Sequence, residues 1–438
     1  MASGEQLLFL ELNEVNFESL EFYTRRGLLP NFKAFFDAHG YGATTSEADY
    51  DHWEPWIQWV TAHTGLDYAE HGIFRLGDIV ETEIPQIWEQ LEAEGYRVGA
   101  ISPMNAKHRL SNAAFFVPDP WTQTDVVAGP VQQRLYQAIA RLVNENATGR
   151  TSVRDLFDFA IGGVATARPV NYPRYLSLVA AARGRAWNRA LFLDQLLADL
   201  FVNSVAATRP HFATLFLNAA AHIQHHYMFS SAAYEGEHRN PDWYVAPGND
   251  PILDVYRLYD QILGDIQKRF PDARIMLATG LHQDPHGEST FYWRLKDHAS
   301  FLTAIGAPFA RVEPRMSRDF LVVCDDAEQA LRTQKILESA RASDGATLFE
   351  IDNRGADLFV TLIYRDDVAE TLTFSVGNTL IGTLKDKVAF VAVKNGEHNG
   401  IGYFADNGAD KLTPATPFPL KTLPSRIKAA VTATPVTH

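Results

Sequence analysis

Cysteine is almost absent from this chain of 438 residues, which contains only Cys324. A single cysteine cannot form an internal disulfide, so the fold must depend on its core rather than on covalent cross-links. Cys324 ends the apolar run 320–324, which is typical of a strand. We therefore predict a buried structural thiol rather than a nucleophile.

Positive charge is also scarce. The chain has 39 Lys and Arg residues against 53 Asp and Glu residues, which gives a formal net charge of -14. This balance excludes tight nonspecific binding to a nucleic acid duplex. It is compatible with a local basic pocket for a small anionic substrate, because net charge says nothing about a single cleft.

No apolar run in the sequence approaches the length of a membrane span, and residues 1–6 lack the basic region of a signal peptide. The hydrophobic fraction of 46% and the charged fraction of 21% are ordinary for a globular protein. From these absences we expect a cytoplasmic protein that has no membrane contact.

The sequence does contain four short apolar runs, each followed closely by polar residues, at 7–10, 212–217, 275–278 and 388–393. Runs of this length predict strands of a mostly parallel sheet that is buried on both faces. Ligands bind outside the carboxyl ends of such strands, so we expect one shared active site there. The polar residues at these ends are Glu11, Asn13, Glu14, Asn218, His222, His225, His226, His282, Gln283, Glu397 and His398.

The pattern along the chain predicts an α/β fold with a mostly parallel central sheet flanked by helices. Residues 1–130 and 209–290 form the two parts of this core, and residues 386–408 return to it. Residues 131–208 are predicted to be a helical insertion that serves as a lid, a cap or an oligomer surface. Residues 291–385 predict a small α+β subdomain, and residues 409–438 an irregular tail.

Several short motifs occur in an order that resembles the alkaline phosphatase superfamily, especially its phosphodiesterase/nucleotide pyrophosphatase and sulfatase-like branches. The resemblance spans most of the chain. The motifs are Pro30-Asn31-Phe32, Thr64-Gly65 with His71-Gly72-Ile73, Asn218 with His222, Tyr259–Gly264, and Gly396-Glu397-His398-Asn399. The resemblance implies an alkaline phosphatase-like fold and an active site that uses divalent cations such as Zn, Mn or Fe.

The resemblance also implies particular metal ligands. His222 and His398 match the superfamily's metal histidines, and Asn218 stands where the superfamily has an aspartate. At the first strand Asn13 replaces an aspartate, or its role passes to Glu11 or Glu14. With fewer carboxylates, a single cation is the expectation. His222 and His398 would bind it with one of Asn218, His226, His282 or Glu11; the alternative is a site without metal.

No Thr or Ser occupies the expected nucleophile position, which falls near Glu54-Pro55-Trp56. Glu54 could instead act as the base for a water molecule, so the predicted catalytic residues are Glu54, Glu11 and His282. The predicted substrate-binding residues are Asn13, Gln283, His226 and Trp56. Glu11 lies inside an apolar strand, where a structural ion pair is the alternative. Trp56 belongs to a stripe with Trp53 and Trp59, for which a core-facing helix is the default interpretation and an aromatic wall for a planar substrate is the alternative.

These observations lead to two functional hypotheses. The first is a metal-dependent hydrolase or transferase that acts on a phosphate or sulfate ester through a remodelled, mononuclear centre. The second is a binding protein without hydrolytic activity, or an enzyme of altered chemistry, that uses the same pocket.

Overall fold

The computed structural model describes residues 6–144, 153–315, 318–408 and 416–432. The chain divides into two compact units. The first comprises Met1–Gly236, Pro241–Pro285 and Gly396–His438, and the second comprises Glu237–Asn240 and His286–Asn395. The second unit includes the whole of the stretch 291–385, for which the sequence predicts a small α+β subdomain.

The described residues contain α-helices, strands and short 3-10 turns. The helices are α1 (Phe17–Arg25), α2 (Pro30–His39), α3 (Pro55–Thr64), α4 (Tyr68–His71), α5 (Ile87–Ala93), α6 (Pro130–Asn144), α7 (Val153–Thr166), α8 (Tyr172–Ala181), α9 (Asn188–Thr208), α10 (Ala219–Tyr227), α11 (Pro251–Arg269), α12 (His298–Ala304), α13 (Ala327–Glu338) and α14 (Leu423–Thr432). The 3-10 turns are Tyr50–His52, Asp78–Glu81, Pro169–Asn171, Met228–Ser230 and Leu420–Thr422.

The strands are β1 (Leu7–Leu12), β2 (Gly42–Thr45), β3 (Val98–Ile101), β4 (Phe115–Val117), β5 (Phe212–Leu217), β6 (Arg274–Ala278), β7 (His282–Leu295), β8 (Arg311–Pro314), β9 (Asp319–Val323), β10 (Ala340–Ala342), β11 (Phe349–Asn353), β12 (Asp357–Leu362), β13 (Thr373–Val376), β14 (Thr379–Thr383), β15 (Val388–Asn399), β16 (Ile401–Asp406) and β17 (Phe418–Pro419). The predicted run 212–217 coincides with β5, and the predicted run 7–10 forms the first four residues of β1.

A central sheet of eight strands organises the first unit, in the order β17-β2-β16-β6-β1-β5-β3-β4. Its pairs are parallel except for those that β16 makes with β2 and β6. The predicted α/β class with a mostly parallel sheet is therefore confirmed. Strands β8 to β14 form two small antiparallel sheets in the second unit, and β7 and β15 form a two-stranded sheet.

Alternate residues of the central strands feed two separate cores, because successive side chains point to opposite faces. Leu8, Leu10 and Leu12 belong to a core with α1, α2, α9, α10 and α11. Leu7 and Phe9 belong to a second core with α3, α5 and α14. The sheet is thus covered on both faces, which explains why its strands are almost continuously apolar.

The strand register places three chain segments at one edge of the sheet. Leu12 pairs with Leu217 at the ends of β1 and β5, and Glu11 pairs with Ala278 near the end of β6. Beyond these strands, the backbone N–H of Asn13 donates to Leu217 O at 3.1 Å. The polar residues that follow β1 and β5 therefore lie side by side, as the sequence predicts.

The fourth apolar run, 388–393, is not a strand of the central sheet. It begins β15, which continues to Asn399 and is paired with β7. The next strand, β16, enters the central sheet instead. The prediction of a parallel core strand there was wrong, because apolar composition identifies a strand but not its pairing partner. His398 consequently lies within a strand rather than in a loop.

Two other predictions also need correction. The tail predicted to be irregular contains helix α14 within the described residues 416–432, and residues 409–415 and 433–438 lie outside the described part of the chain. Helix α9 is, by length and composition, long and apolar enough to cross a membrane, with a mean hydropathy of 1.4 over its most apolar window. Because 56% of that window is buried inside the protein, the same composition also fits a core helix.

Candidate functional site

A buried carboxylate, Glu14, occupies the carboxyl edge of the central sheet. The chain bends sharply after β1, and Glu14 has a φ of 60°, in the left-handed region that non-glycine residues rarely adopt. Its backbone N–H donates to Thr279 O at 3.1 Å, which fixes the bend against the chain beyond β6. Strained backbone of this kind is concentrated at functional sites.

Two imidazoles converge on the Glu14 carboxylate. Glu14 Oε2 lies 3.1 Å from His398 Nε2 and 3.3 Å from His225 Nε2. One ligand atom from each of the three residues lies within 4.8 Å of the others. We call Glu14, His225 and His398 the triad. One carboxylate and two imidazoles form a donor set that suits Zn, Mn or Fe.

Close contact between α10 and β15 brings the two histidines together. A Cβ atom on Gly396 would lie 2.9 Å from Gln224 O, so only glycine permits this approach without a shift of the backbone. The rings of His225 and His398 are consequently 5.0 Å apart between centroids. The Gln224 side chain also holds α10 in place, because its amide donates to Glu14 O at 2.6 Å.

Burial alone would raise the pKa of Glu14, but the charges and hydrogen bonds of His398 and His225 outweigh it and hold that pKa well below its usual range. Gln283 donates from Nε2 both to Glu14 Oε2 and to Ala221 O. Glu14 is therefore an anion. Neutral amide donors hold its carboxylate in one orientation, and two imidazoles lie beside it. A divalent cation can replace the histidine protons in such a setting.

Glu54 lies on the other side of His398. It is the residue before α3, and its Oε2 lies 3.6 Å from His398 Nδ1. Burial raises the pKa of Glu54, although the charge of His398 acts in the opposite direction. The predicted base is thus adjacent to the triad, on the ring edge opposite Glu14.

His222 and Asn218 border the triad without belonging to it. His222 is exposed to a cavity next to α9 and its ring centroid is 5.0 Å from that of His226, which in turn is 6.2 Å from that of His225. Desolvation, reinforced by the charge of His225, lowers the pKa of His222 to about 4. Asn218 accepts a hydrogen bond from Asn13 Nδ2 at 2.8 Å. The histidine that lies beside His398 is His225, with 5.0 Å between ring centroids, and the metal pairing of His222 with His398 stays a prediction.

Asn13 and Glu11 both contact helix α3. They are two positions apart along an extended chain, so their side chains point to the same side, and their partners on α3 are one helical turn apart. Trp59 Nε1 donates to Asn13 Oδ1 at 2.7 Å, and Glu11 Oε2 lies 3.1 Å from His63 Nε2. Asn13 also donates to Glu14 Oε1 at 3.0 Å and so reaches the triad. Glu11 is fully buried with structural partners, which supports the ion-pair alternative over a catalytic role.

His282 and Trp56 also lie outside the triad. His282 Nδ1 is 2.6 Å from Ile401 O, and its Nε2 is 3.1 Å from Asp284 Oδ1. The hydrogen bond with His282 is the main reason that the pKa of Asp284 is lowered. Trp56 donates to Phe74 O at 3.0 Å and packs against the core of α3 and α5. Trp53 precedes α3, so the three tryptophans do not form one helical stripe; Trp59 is buried in the core and Trp56 packs against it.

Sequence reasoning named Glu14 and His225 among the polar strand ends but did not select them as site residues. Their signal was present: Glu14 is a carboxylate directly after a buried strand, and His225 is one of three histidines within five positions. Which of those histidines faces His398 depends on where α10 begins and on its contact with Gly396. Neither feature can be read from residue type.

No protein-family model and no curated protein matches this sequence. Among solved structures, the chain is similar to phosphonoacetate hydrolase from Sinorhizobium meliloti 1021, with 13% identity and a TM-score of 0.48 over 99% of this chain and 97% of that one. It is similar to murine ectonucleotide pyrophosphatase/phosphodiesterase 5, with 10% identity and a TM-score of 0.42 over 98% and 95%. It is also similar to alkaline phosphatase from the Antarctic bacterium TAB5, with 11% identity and a TM-score of 0.41 over 99% of both chains.

Every one of these TM-scores lies below 0.5, so the chemistry of the site is inferred only from the residues of this chain.

Proposed function

We propose that this protein is a hydrolase of phosphate or sulfate esters that uses one divalent cation bound by Glu14, His225 and His398. The observation that carries the proposal is the convergence of their three ligand atoms within 4.8 Å at the carboxyl edge of the sheet. The class of ester comes from the resemblance of the sequence motifs to the alkaline phosphatase superfamily.

The donor set fits a catalytic metal centre. Catalytic zinc sites characteristically have three protein ligands and one position open to water or substrate. A single carboxylate leaves the site with a net positive charge when a dication is present, which favours an anionic substrate. A bound cation would polarise the ester oxygen and lower the pKa of a coordinated water molecule.

Residues of the protein itself would orient the metal ligands and take a proton from the attacking water. Gln283 donates to Glu14 and holds its carboxylate in one orientation. Glu54, next to His398 and a third exposed on its side chain, is placed to take a proton from an attacking water. Asn13 is hydrogen-bonded to both Glu14 and Asn218. His226 lies beside His225. Asn13 and His226 are therefore candidates for contact with the substrate. A cytoplasmic location stays a prediction.

Metal titration combined with an ester assay tests this function. We expect the purified protein to bind Zn or Mn with a stoichiometry of one and to hydrolyse p-nitrophenyl esters of phosphate, methyl phosphate or sulfate. Loss of one direct ligand in Glu14→Gln or His225→Ala should weaken metal binding by at least about 100-fold, beyond the effect typical of outer contacts. His39→Ala, at an exposed position of α2, is the matched control. Equal metal affinity in all four proteins, or no hydrolysis by the metal-loaded protein, would overturn the proposal.

A second candidate function is binding without hydrolysis. It is favoured by Glu54 at the start of α3, where the superfamily resemblance implies a Thr or Ser nucleophile, and by Asn218 in place of an aspartate. In that case the triad would bind metal, and anionic ligands would bind the metal-loaded protein, with no turnover of any ester in the assay.

A further inference from the structure

A cavity of about 540 Å³ lies within the first unit, next to the candidate site. Helices α6, α7 and α9 supply most of its wall, and the remainder comes from residues near the ends of β3, β4 and β5. Representative apolar lining residues are Leu135, Ile139, Phe159, Leu193 and Phe216. The volume falls in the range of small-molecule pockets, about 300–1,000 Å³.

Part of the polar lining leads toward the triad, and the rest comes from residues such as Gln132, Arg189 and Asp194. Asn218 and His222 both line the cavity. Asn218 is hydrogen-bonded to Asn13, which donates to Glu14, so two hydrogen bonds separate the cavity wall from the triad carboxylate. The His222 ring is next to that of His226, the neighbour of His225. An ester bound at the triad would therefore have an apolar space beside it.

A largely apolar wall beside a candidate metal centre is suited to an amphiphilic ligand. Leu, Ile and Phe side chains offer no hydrogen bonds to an ion or a polar molecule. A hydrocarbon group that binds against them is transferred out of water, and this transfer is favourable. The cation-binding residues, by contrast, suit the anionic end of such a molecule. The two chemistries lie next to each other in one unit of the protein.

We propose that the cavity holds the hydrocarbon group of the substrate, so the protein acts on phosphate or sulfate esters that carry an alkyl or acyl chain. This inference rests on the proposed function for its anionic end and on the cavity for its apolar end. Each methylene that enters the cavity should lower KM by about fourfold until the cavity is full, as expected from the transfer free energy of a methylene group.

A chain-length series tests the inference on the unaltered, metal-loaded protein. Alkyl p-nitrophenyl phosphates from methyl to octyl share one leaving group, so kcat should change little while KM falls with length. Ala190→Trp places a large side chain in the cavity wall, and Ala207→Trp places the same side chain at an exposed position of the same helix. The dependence on length should disappear in Ala190→Trp and persist in Ala207→Trp.

Direct binding of decyl phosphate separates the inference from the proposed function. If no ester is hydrolysed but decyl phosphate binds at least tenfold more tightly than methyl phosphate, and Ala190→Trp abolishes the difference, the cavity inference stands and the hydrolase proposal fails. If methyl p-nitrophenyl phosphate is hydrolysed and neither KM nor binding depends on chain length, the hydrolase stands and the cavity inference is overturned. Because the series uses the native protein, its result does not depend on the folding of Ala190→Trp.

Discussion

Glu14 and His398 lie 3.1 Å apart between Oε2 and Nε2, although they come from opposite ends of the sequence. The contact joins a bend after the first strand to a strand that is separate from the central sheet. It exists because α10 packs against Gly396 and because Glu14 adopts a left-handed backbone conformation. The candidate metal centre is therefore a product of tertiary packing, and its integrity should respond to changes outside the ligands.

Gly396→Ala should weaken metal binding without removing any ligand. The added methyl group would overlap Gln283 Oε1 and lie 2.9 Å from Gln224 O. Relief of these contacts displaces the Gln283 side chain and moves β15, with His398, away from α10. We expect a loss of metal affinity of about 10- to 100-fold, as for changes in the residues that orient ligands. Isothermal titration with Zn or Mn measures the effect.

Gly287→Ala provides the control for this substitution, because a Cβ atom there meets nothing within 4 Å. If both variants bind metal as the unaltered protein does, close packing at Gly396 does not position His398.

Glu54→Gln should reduce turnover while metal binding persists. The amide keeps the shape of the side chain but cannot accept a proton from water, so kcat should fall by about 10²- to 10⁴-fold. KM and the metal affinity should stay within about threefold, because Glu54 is not one of the triad. Steady-state kinetics with a p-nitrophenyl ester measure kcat and KM. Glu81→Gln, at an exposed position, is the control variant. A purely structural Glu54 would instead alter thermal stability and leave kcat unchanged.

Glu11→Ala should destabilise the fold. The Glu11 carboxylate is buried against His63 and accepts a hydrogen bond from Thr214, so its removal leaves His63 without its partner inside the protein. Breaking a buried pair in this way costs about 3–5 kcal/mol of unfolding free energy. Urea denaturation measures the loss, and metal stoichiometry per folded molecule should not change. A variant that folds normally yet loses activity would restore Glu11 to a catalytic role.

Asp194 should make the protein less stable as the pH rises from about 4 to about 6. Burial raises the pKa of Asp194 from 3.8 to about 6, despite hydrogen bonds from Tyr259 and from the Ala219 N–H. The folded state therefore keeps a proton that the unfolded state has released. The stability from this group is present below pH 3.8 and is lost through pH 6, a change of about 3 kcal/mol.

Asp194→Asn removes this titration while retaining an acceptor oxygen for Tyr259. Between pH 4 and pH 7, the unaltered protein should lose about 3 kcal/mol of unfolding free energy that the variant keeps. Urea denaturation at several pH values provides the curves. Parallel curves would show that Asp194 has an ordinary pKa in the folded state.

The central strands were predictable because their signal is local. Strands β1 and β5 each consist of six residues that are all buried. The apolar run 212–217 matches β5, and the run 7–10 matches the first four residues of β1. The joint placement of Asn13 and Asn218 followed from the rule that parallel strands end at one edge. The shared face of Glu11 and Asn13 followed from strand alternation, and both contact α3.

The triad itself was beyond local rules. Glu14 reaches His398 through a backbone conformation that glutamate seldom adopts, and no residue preference predicts it. His225 faces His398, and His222 faces the cavity, because of the way α10 packs rather than because of the identity of the residue. The run 388–393 had the composition of a core strand, yet its partner is β7.

The position of β16 within the central sheet has a consequence for synthesis on the ribosome. Ile401–Asp406 lies between β2 and β6, two strands that are made much earlier in the chain. Until β16 emerges, β6 has a vacant edge and β2 has neither of its partners, because β17 is made later still. Unpaired strand edges are templates for aggregation. The central sheet can therefore be completed only after residues 401–406 and 418–419 have been synthesised.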